Sequence, residues 1–372
     1  MDSSRERRAL IRRNLKVLVL KVGSNILTGE SGGLLSRSFS RIARQIATLR
    51  EEGVRVILVS SGAIAAGREA IGLGRKPLTL ALKQAAASAG QISLMRHWDH
   101  ALGRHGIRTA QILLTPDDIS DRERFVNLER TFETLLSLDI LPIVNENDAV
   151  ATFEIRFGDN DRLSAYVAGL VRAECLLLLS DVSHLFTADP RIDPGAKKIL
   201  YVPAVDAAIE RMAGLSRSGL GTGGMASKVG TAMWANGWGL PVGVLKGDLP
   251  GGIFRFFAAR TGTLFDTGRP ALSNRKIWIG HFSAPRGAFF LDPGAVAALS
   301  TGMTSLLSPG VVGVSGLFSK KDPVRLLDSG GTEVGRGISR ISSDQWPVGR
   351  LASGVILIHK NDLVLSGSHL KR

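Results

Sequence analysis

The chain has 372 residues, 44% hydrophobic and 22% charged, which describes an ordinary globular protein of about two domains and excludes a disordered or fibrous one. Its 47 Lys and Arg against 33 Asp and Glu leave a formal charge of +14, a balance that favours anions of every kind without choosing among them. No apolar run approaches the roughly 18 residues of a membrane span, no export segment is read at the N-terminus, and the single cysteine, Cys175, excludes an intrachain disulfide and fits a reducing cytoplasm.

In chain order, Arg5, Arg7, Arg8, Arg12, Arg13 and Lys16 come first, a basic cluster that reads as a solvated tail over residues 1–14. Strands are predicted at 16–22, 54–60, 109–114, 141–145, 175–181 and 241–246, from short apolar, β-branched runs. Between them lie helical patterns at 38–52, 80–104, 122–138, 161–172, 205–212 and 226–235. Alternation of strand and helix implies an α/β fold, a mostly parallel sheet sandwiched by helices over residues 15–270. Cys175 sits inside an apolar strand and reads as a buried, inert thiol. The character changes over 260–274, rich in Thr, Gly, Arg and Pro. Beyond it, short apolar runs at 276–279, 288–291, 311–315, 324–327, 334–339 and 355–359 suggest a small all-β domain over 276–366.

Ligands of parallel sheets bind beyond the carboxyl ends of the strands, so those ends are where chemistry is sought. The first strand runs into Lys21-Val22-Gly23-Ser24, which places an ammonium and free backbone N–H groups together; it suits phosphate oxygens, or is a surface lysine beside a turn. The second ends at Ser60-Ser61-Gly62-Ala63, an anion site at a helix start or simply an N-cap. No G-x-S-x-G elbow or placed histidine supports a nucleophilic serine. The fourth ends at Asn145-Glu146-Asn147-Asp148, followed by Gly158-Asp159-Asn160-Asp161. These groups could grip an amino group, organise lysines or hold Mg²⁺, or they are turn and cap residues, Asp159 or Asn160 among them. The fifth ends at Ser180-Asp181, and Gly219–Gly224 with Lys228 makes a glycine-rich turn that opens a helix with a lysine one turn in. It is neither a Rossmann fingerprint, lacking a preceding strand, nor a Walker A loop, since Ser227 precedes Lys228. His97 and His100 lie three apart on a long helix but no further ligands complete a metal set.

Taken together, Lys21-Val-Gly-Ser, Ser60–Glu69, Asp121–Phe125, Asn145–Ala151, Gly158-Asp-Asn-Asp161, Thr187-Ala-Asp-Pro-Arg191 and Gly219–Met225 with Lys228 resemble the glutamate 5-kinases of the amino acid kinase superfamily, in order and spacing over about residues 15–270. The tail, with Leu291-Asp-Pro-Gly-Ala295, Ser305-Leu-Leu307 and Ile358–Leu363, looks like a PUA domain. His184 and Phe186 stand where that family has a glycine and a tyrosine, and Ile341 and Lys360 where it has a tyrosine and an arginine.

The resemblance implies ATP-dependent phosphorylation of the glutamate side-chain carboxylate, the first step of proline synthesis, with ATP and Mg²⁺ as cofactors. It implies a catalytic set of Lys21, Asp161 and Lys228, the lysines neutralising the transferring group and Asp161 holding them. Ser61, Asp148 and Asn160 would bind glutamate. Lys21, Gly23, Ser24, Ser180, Asp181, Thr222, Gly223, Gly224, Met225, Ala226, Ser227 and Lys228 would bind the nucleotide. Expected partners are L-glutamate and ATP, proline as feedback inhibitor, a glutamyl phosphate reductase taking the labile product, and further copies in a homo-oligomer, with no membrane. Rival readings are another amino acid kinase, such as acetylglutamate kinase, or an RNA-binding protein using the basic tail domain.

Overall fold

The computed structural model describes residues 2–29, 32–74, 77–150, 159–214, 224–301, 304–346 and 354–366. The chain divides into two compact units, Met1–Asp118 with Val126–Ala271, and Ile119–Phe125 with Leu272–Arg372.

Up to Ala271 the order is α1 (Asp2–Asn14), β1 (Val17–Val22), α2 (Ser24–Leu27), α3 (Ser36–Glu51), β2 (Arg55–Ser60), α4 (Ala63–Ala70), α5 (Leu80–Gly103), β3 (Arg108–Leu114), α6 (Pro116–Ser120), α7 (Arg122–Ser137), β4 (Ile140–Glu146) and α8 (Asn160–Leu170). There follow β5 (Cys175–Ser180), β6 (Leu185–Phe186), β7 (Lys198–Ile199), β8 (Tyr201–Val202), α9 (Ala207–Met212), α10 (Gly224–Asn236), β9 (Val242–Lys246), α11 (Gly252–Phe257) and β10 (Thr263–Phe265). Eight strands form one sheet in the order β3-β4-β2-β1-β5-β9-β10-β8. Every pairing from β3 to β9 is parallel, and β10 then runs antiparallel to β9. Every residue of β1 and β5 is buried, as central strands of a sheet covered on both faces must be. The two-residue period sends Leu18, Leu20 and Val22 into one core with Phe39, Ile42 and Ile46 of α3. It turns Lys21 to the opposite face.

The solvated tail expected from the basic cluster does not form. Residues 2–14 are helix α1, and Arg8 is fully buried. Its guanidinium donates to the carbonyls of Phe256 and Thr261 through Nη1, and to those of Leu200 and Gly262 through Nη2. It also lies 4.2 Å from the centroid of the Phe256 ring. Ile11 and Leu15 join the core beside it. Counting charges could not find this, because the carbonyls that Arg8 satisfies lie some 200 residues away in sequence.

In the second unit, α12 (Asn274–Ile277) runs into a π-helical turn, Trp278–Phe282, where a strand is expected at 276–279. Ser273 caps the helix, its Oγ accepting from Lys276 N, and Trp278 Nε1 donates to Ile119 O at 3.2 Å. The β-branched run was the weaker signal; the Ser-Asn cap before it decides. Then come β11 (Gly287–Leu291), α13 (Pro293–Ser300), β12 (Leu306–Leu307), β13 (Val311–Gly316), β14 (Pro323–Leu327), β15 (Glu333–Ile338), β16 (Ile356–Ile358) and β17 (Leu363–Leu365). A mixed sheet in the order β13-β11-β14-β15-β17 and the pair β12-β16 enclose Phe289, Val324, Leu326, Val334 and Leu357. The unit is therefore not purely β: α13 starts at Asp292, whose side chain accepts from Ala295 N at 2.7 Å, with Pro293 at the first helical position.

Candidate active site

Three elements of the first unit deliver one buried charge cluster. Lys21 comes from β1, Asp161 from the first turn of α8, and Lys228 from the first turns of α10. Asp161 Oδ1 meets Lys21 Nζ at 2.5 Å and Oδ2 accepts from Lys228 Nζ at 3.0 Å. Lys228 Nζ also donates to Gly224 O. Asp161 is 1% exposed and each lysine 7%. Burial alone would raise the Asp161 pKa, but the two adjacent ammonium groups outweigh it and hold the carboxyl below its usual range. Two cations sharing one anion leave a buried excess of positive charge, which an incoming anion would neutralise. Gly23 stands beside it: a methyl group there would lie 3.8 Å from Lys21 Nζ.

The frame around the cluster is specified locally. Asp159 caps α8, its Oδ1 accepting from the backbone N–H of Asp161 and Arg162, while its Oδ2 accepts from Ser227 Oγ on α10. The cap thus falls to Asp159, and Ser227 presents its hydroxyl to that cap. Asn160 instead turns its amide NH₂ to Ser61 Oγ (2.8 Å) and Asn145 Oδ1 (2.9 Å). Its own Oδ1 is buried with no hydrogen-bond partner among the described residues. The Ser60 hydroxyl is occupied elsewhere, accepting from Trp98 Nε1 at 2.8 Å, so of the two serine hydroxyls only that of Ser61 meets Asn160, while Ser60 offers it its backbone carbonyl at 3.4 Å. Gly62, at φ 115°, makes the turn into α4 that a side chain would strain. Helix α4 then lies so close to α5 that a Cβ on Gly90 would fall 1.9 Å from Ala63 O. Asp148 is half-buried and lines a small cavity of about 30 Å³ with Gln91, Asn145 and Glu146.

On the other side a cavity of about 1090 Å³ is lined by Asp181, His184, Phe186, Met225 and Lys246, among others. Ser180 Oγ and Asn25 Nδ2 donate to the Asp181 carboxylate at 2.9 and 3.0 Å. Burial would raise the Asp181 pKa, but these two bonds prevail and lower it. Ser24 opens α2, and Gly224, at φ 78°, opens α10, with Met225 and Ala226 next in that helix. Thr222 and Gly223 lie outside the described residues, as do Gly158 and Gly219. His97 Nδ1 is engaged with Ser93 O at 2.8 Å, and its ring lies against Phe39.

His184 is a wall residue with a fixed tautomer. Gly262 N donates to its Nε2 at 2.9 Å, so the ring proton sits on Nδ1. Burial, then the charges of Lys198 and Arg8, push its pKa from the ordinary 6.5 down to about 4. Between those values the unfolded chain binds a proton that the folded chain refuses. Stability should therefore fall as pH drops from 6.5 toward 4. In His184→Gln that share of the acid sensitivity should vanish; parallel losses in both proteins, by urea titration across pH, would count against it.

Residues 16–245 match the amino acid kinase family, and residues 287–346 match the PUA domain. The glutamate 5-kinase of Geobacter metallireducens is 43% identical over 89% of this chain and 89% of its own. That of Trichlorobacter lovleyi is 46% identical over 91% and 90%. The chain belongs to the amino acid kinase family, among its glutamate 5-kinases. A third relative, from Meiothermus ruber, is 45% identical over 88% of this chain and 86% of its own. Among solved structures, UMP kinase from Ureaplasma parvum covers 68% of this chain and 99% of its own, at 14% identity and a TM-score of 0.48.

Two residues and one link of this amino acid kinase's site escape a sequence reading. Asn25 follows the Lys21–Ser24 exit of the first strand directly, but its bond to Asp181 spans 156 residues. Gln91 accepts from Asn145 Nδ2 at 3.0 Å from the middle of α5, where no local signal marks it. The link from Asp159 to Ser227 is equally invisible, although an Asp one residue before a helix is a readable cap.

Proposed function

We infer that this chain transfers the γ-phosphoryl group of ATP to the γ-carboxylate of L-glutamate, giving L-glutamyl 5-phosphate and ADP, the first step of proline biosynthesis. The Lys21–Asp161–Lys228 cluster carries the reading, because it concentrates fixed positive charge in a dry site where phosphoryl oxygens would gather charge. A carboxylate oxygen of glutamate attacks the γ-phosphorus, and the bond to the β–γ bridging oxygen breaks, leaving ADP. The attacking carboxylate is already an anion at neutral pH, so no general base is required.

Lys21 and Lys228 neutralise the transferring group, and Asp161 holds both ammonium groups in place. Gly23 and Ser24, with the start of α10, lie beside the phosphates, and the large cavity beyond Asp181 takes the nucleoside. Mg²⁺ would accompany the nucleotide; Asp181 and Asp189 are the carboxylates in the cavity's described lining, and Asp189 is paired with Arg191, so Asp181 would face an ion held mainly by substrate phosphates and water. Ser61 and Asn160 face the glutamate carboxylates, and Asp148 takes the α-ammonium. The RNA-binding alternative leaves the buried cluster without a use.

Substrate choice is tested at Asp148. Asp148→Asn keeps the shape and removes the charge, so KM for glutamate should rise roughly tenfold or more while KM for ATP barely moves. Trapping the acyl phosphate with hydroxylamine, using glutamate, acetylglutamate and aspartate side by side, measures both constants and the preference. Unchanged glutamate affinity in Asp148→Asn would remove that residue from the ammonium site.

A further inference from the structure

The second unit contains a concavity that phosphoryl transfer does not use. Its volume is about 430 Å³, within the usual range of small-ligand sites. Arg122, Arg275, Lys320, Lys321 and Arg340 surround it, with Asp362 the only acid in its lining among the described residues. That carboxylate accepts from Arg275 Nε at 2.6 Å, which neutralises one cation, and Lys320, Lys321 and Arg340 stand around the same hollow. We propose that this cavity is an anion site of its own, built for a small, multiply charged phosphate compound such as an oligophosphate or a phosphate ester.

The fold converges these charges rather than scattering them. Strands β14 and β15 are antiparallel, with Pro323 paired to Ile338. That register puts Lys320 and Lys321, just before β14, at the same end as Arg340, just after β15. The turn is fixed: Lys321 N donates to Ser339 O, Ser339 N to Asp322 O, and Lys320 N to Ser342 Oγ. Lys321 holds φ at 82°, a left-handed conformation that costs a lysine free energy and a glycine almost none. A side chain kept at such a position points to a use. The Arg122 guanidinium, also in the lining, lies 5.2 Å from the Trp278 ring centroid and 5.6 Å from that of Phe125.

The floor decides between a compact anion and a nucleic acid. Trp278 is 4% exposed and Arg122 covers its ring, so it offers no platform on which bases could stack. Single-stranded nucleic acid would need such a platform. A cluster of like charges in one concavity repels itself until a counter-anion arrives, and a discrete polyanion does this best.

The test uses the full chain with inorganic tripolyphosphate as probe, by calorimetric titration and thermal shift. Lys228→Ala removes a phosphate-binding cation from the first unit, and the double variant Lys320→Glu with Arg340→Glu reverses two charges in the second. Tripolyphosphate binding should survive Lys228→Ala and weaken about tenfold or more in the double variant. The glutamine pair Lys320→Gln with Arg340→Gln should weaken it less, and serves if charge reversal unfolds the protein. Binding lost in Lys228→Ala and retained in both pocket variants would overturn the proposal. So would tripolyphosphate failing to bind while a structured RNA binds with steep salt dependence through the same residues.

Discussion

Lys228→Ala is expected to lower kcat by about 10²–10³-fold while the protein stays folded. The ammonium sits at the start of α10, 7% exposed, sharing Asp161 with Lys21. A cation that meets charge developing on a transferring phosphoryl group is worth most in the transition state, so its loss should fall on kcat rather than on KM. Folding should survive because Asp161 keeps Lys21 as a counter-charge. Asp161→Asn is the companion: it leaves two buried ammonium groups without an anion, and should depress kcat at least as far while also destabilising the fold. The Asp161 carboxyl is held below its usual range, so its stabilising contribution is present above about pH 4 and lost as pH falls through the depressed folded value. The stability gap between wild type and Asp161→Asn should therefore close in acid. Near-normal kcat in Lys228→Ala with only a raised KM for ATP would reduce Lys228 to a nucleotide-binding group.

The second large effect lies far from the chemistry. Arg8→Ala should cost about 3 kcal/mol or more, since it removes four hydrogen bonds and a buried guanidinium at once, even though the Phe256 and Leu200 carbonyls each keep a backbone donor. Burial pulls the Arg8 pKa down to about 10, so the group stays charged at neutral pH, and the carbonyls offset its desolvation. Arg8→Lys should recover only part of the loss, because one ammonium cannot span four acceptors arranged for a planar guanidinium. The Thr261–Gly262 peptide that Arg8 grips through the Thr261 carbonyl is the one whose Gly262 N–H holds His184 on the wall of the large cavity. Arg8→Ala should accordingly raise KM for ATP more than KM for glutamate. A melting temperature within a degree or two of wild type would show that α1 is dispensable.

Sequence alone determined the alternation of strand and helix and with it the sheet, because burial on both faces demands the continuous apolar runs of β1 and β5. It also placed the candidate site residues at strand ends, since Lys21, Ser61, Asp148 and Asp181 follow apolar runs that announce themselves, and the spacing of those motifs carried the family. Only the tertiary structure decided which of the clustered polar groups serve the frame and which face the site. Ser60 goes to Trp98 and Asp159 to the α8 cap, leaving Ser61 and Asn160 to meet each other. Arg8, in a segment that charge alone marks as solvated, becomes a core residue. The Asp159 cap is local, but the other partners lie tens to hundreds of residues away, and a hydrogen bond depends on distance in space, which local pattern does not encode. Periodicity fixes which face a side chain takes, whereas the acceptor it meets there is set by the packing of another element.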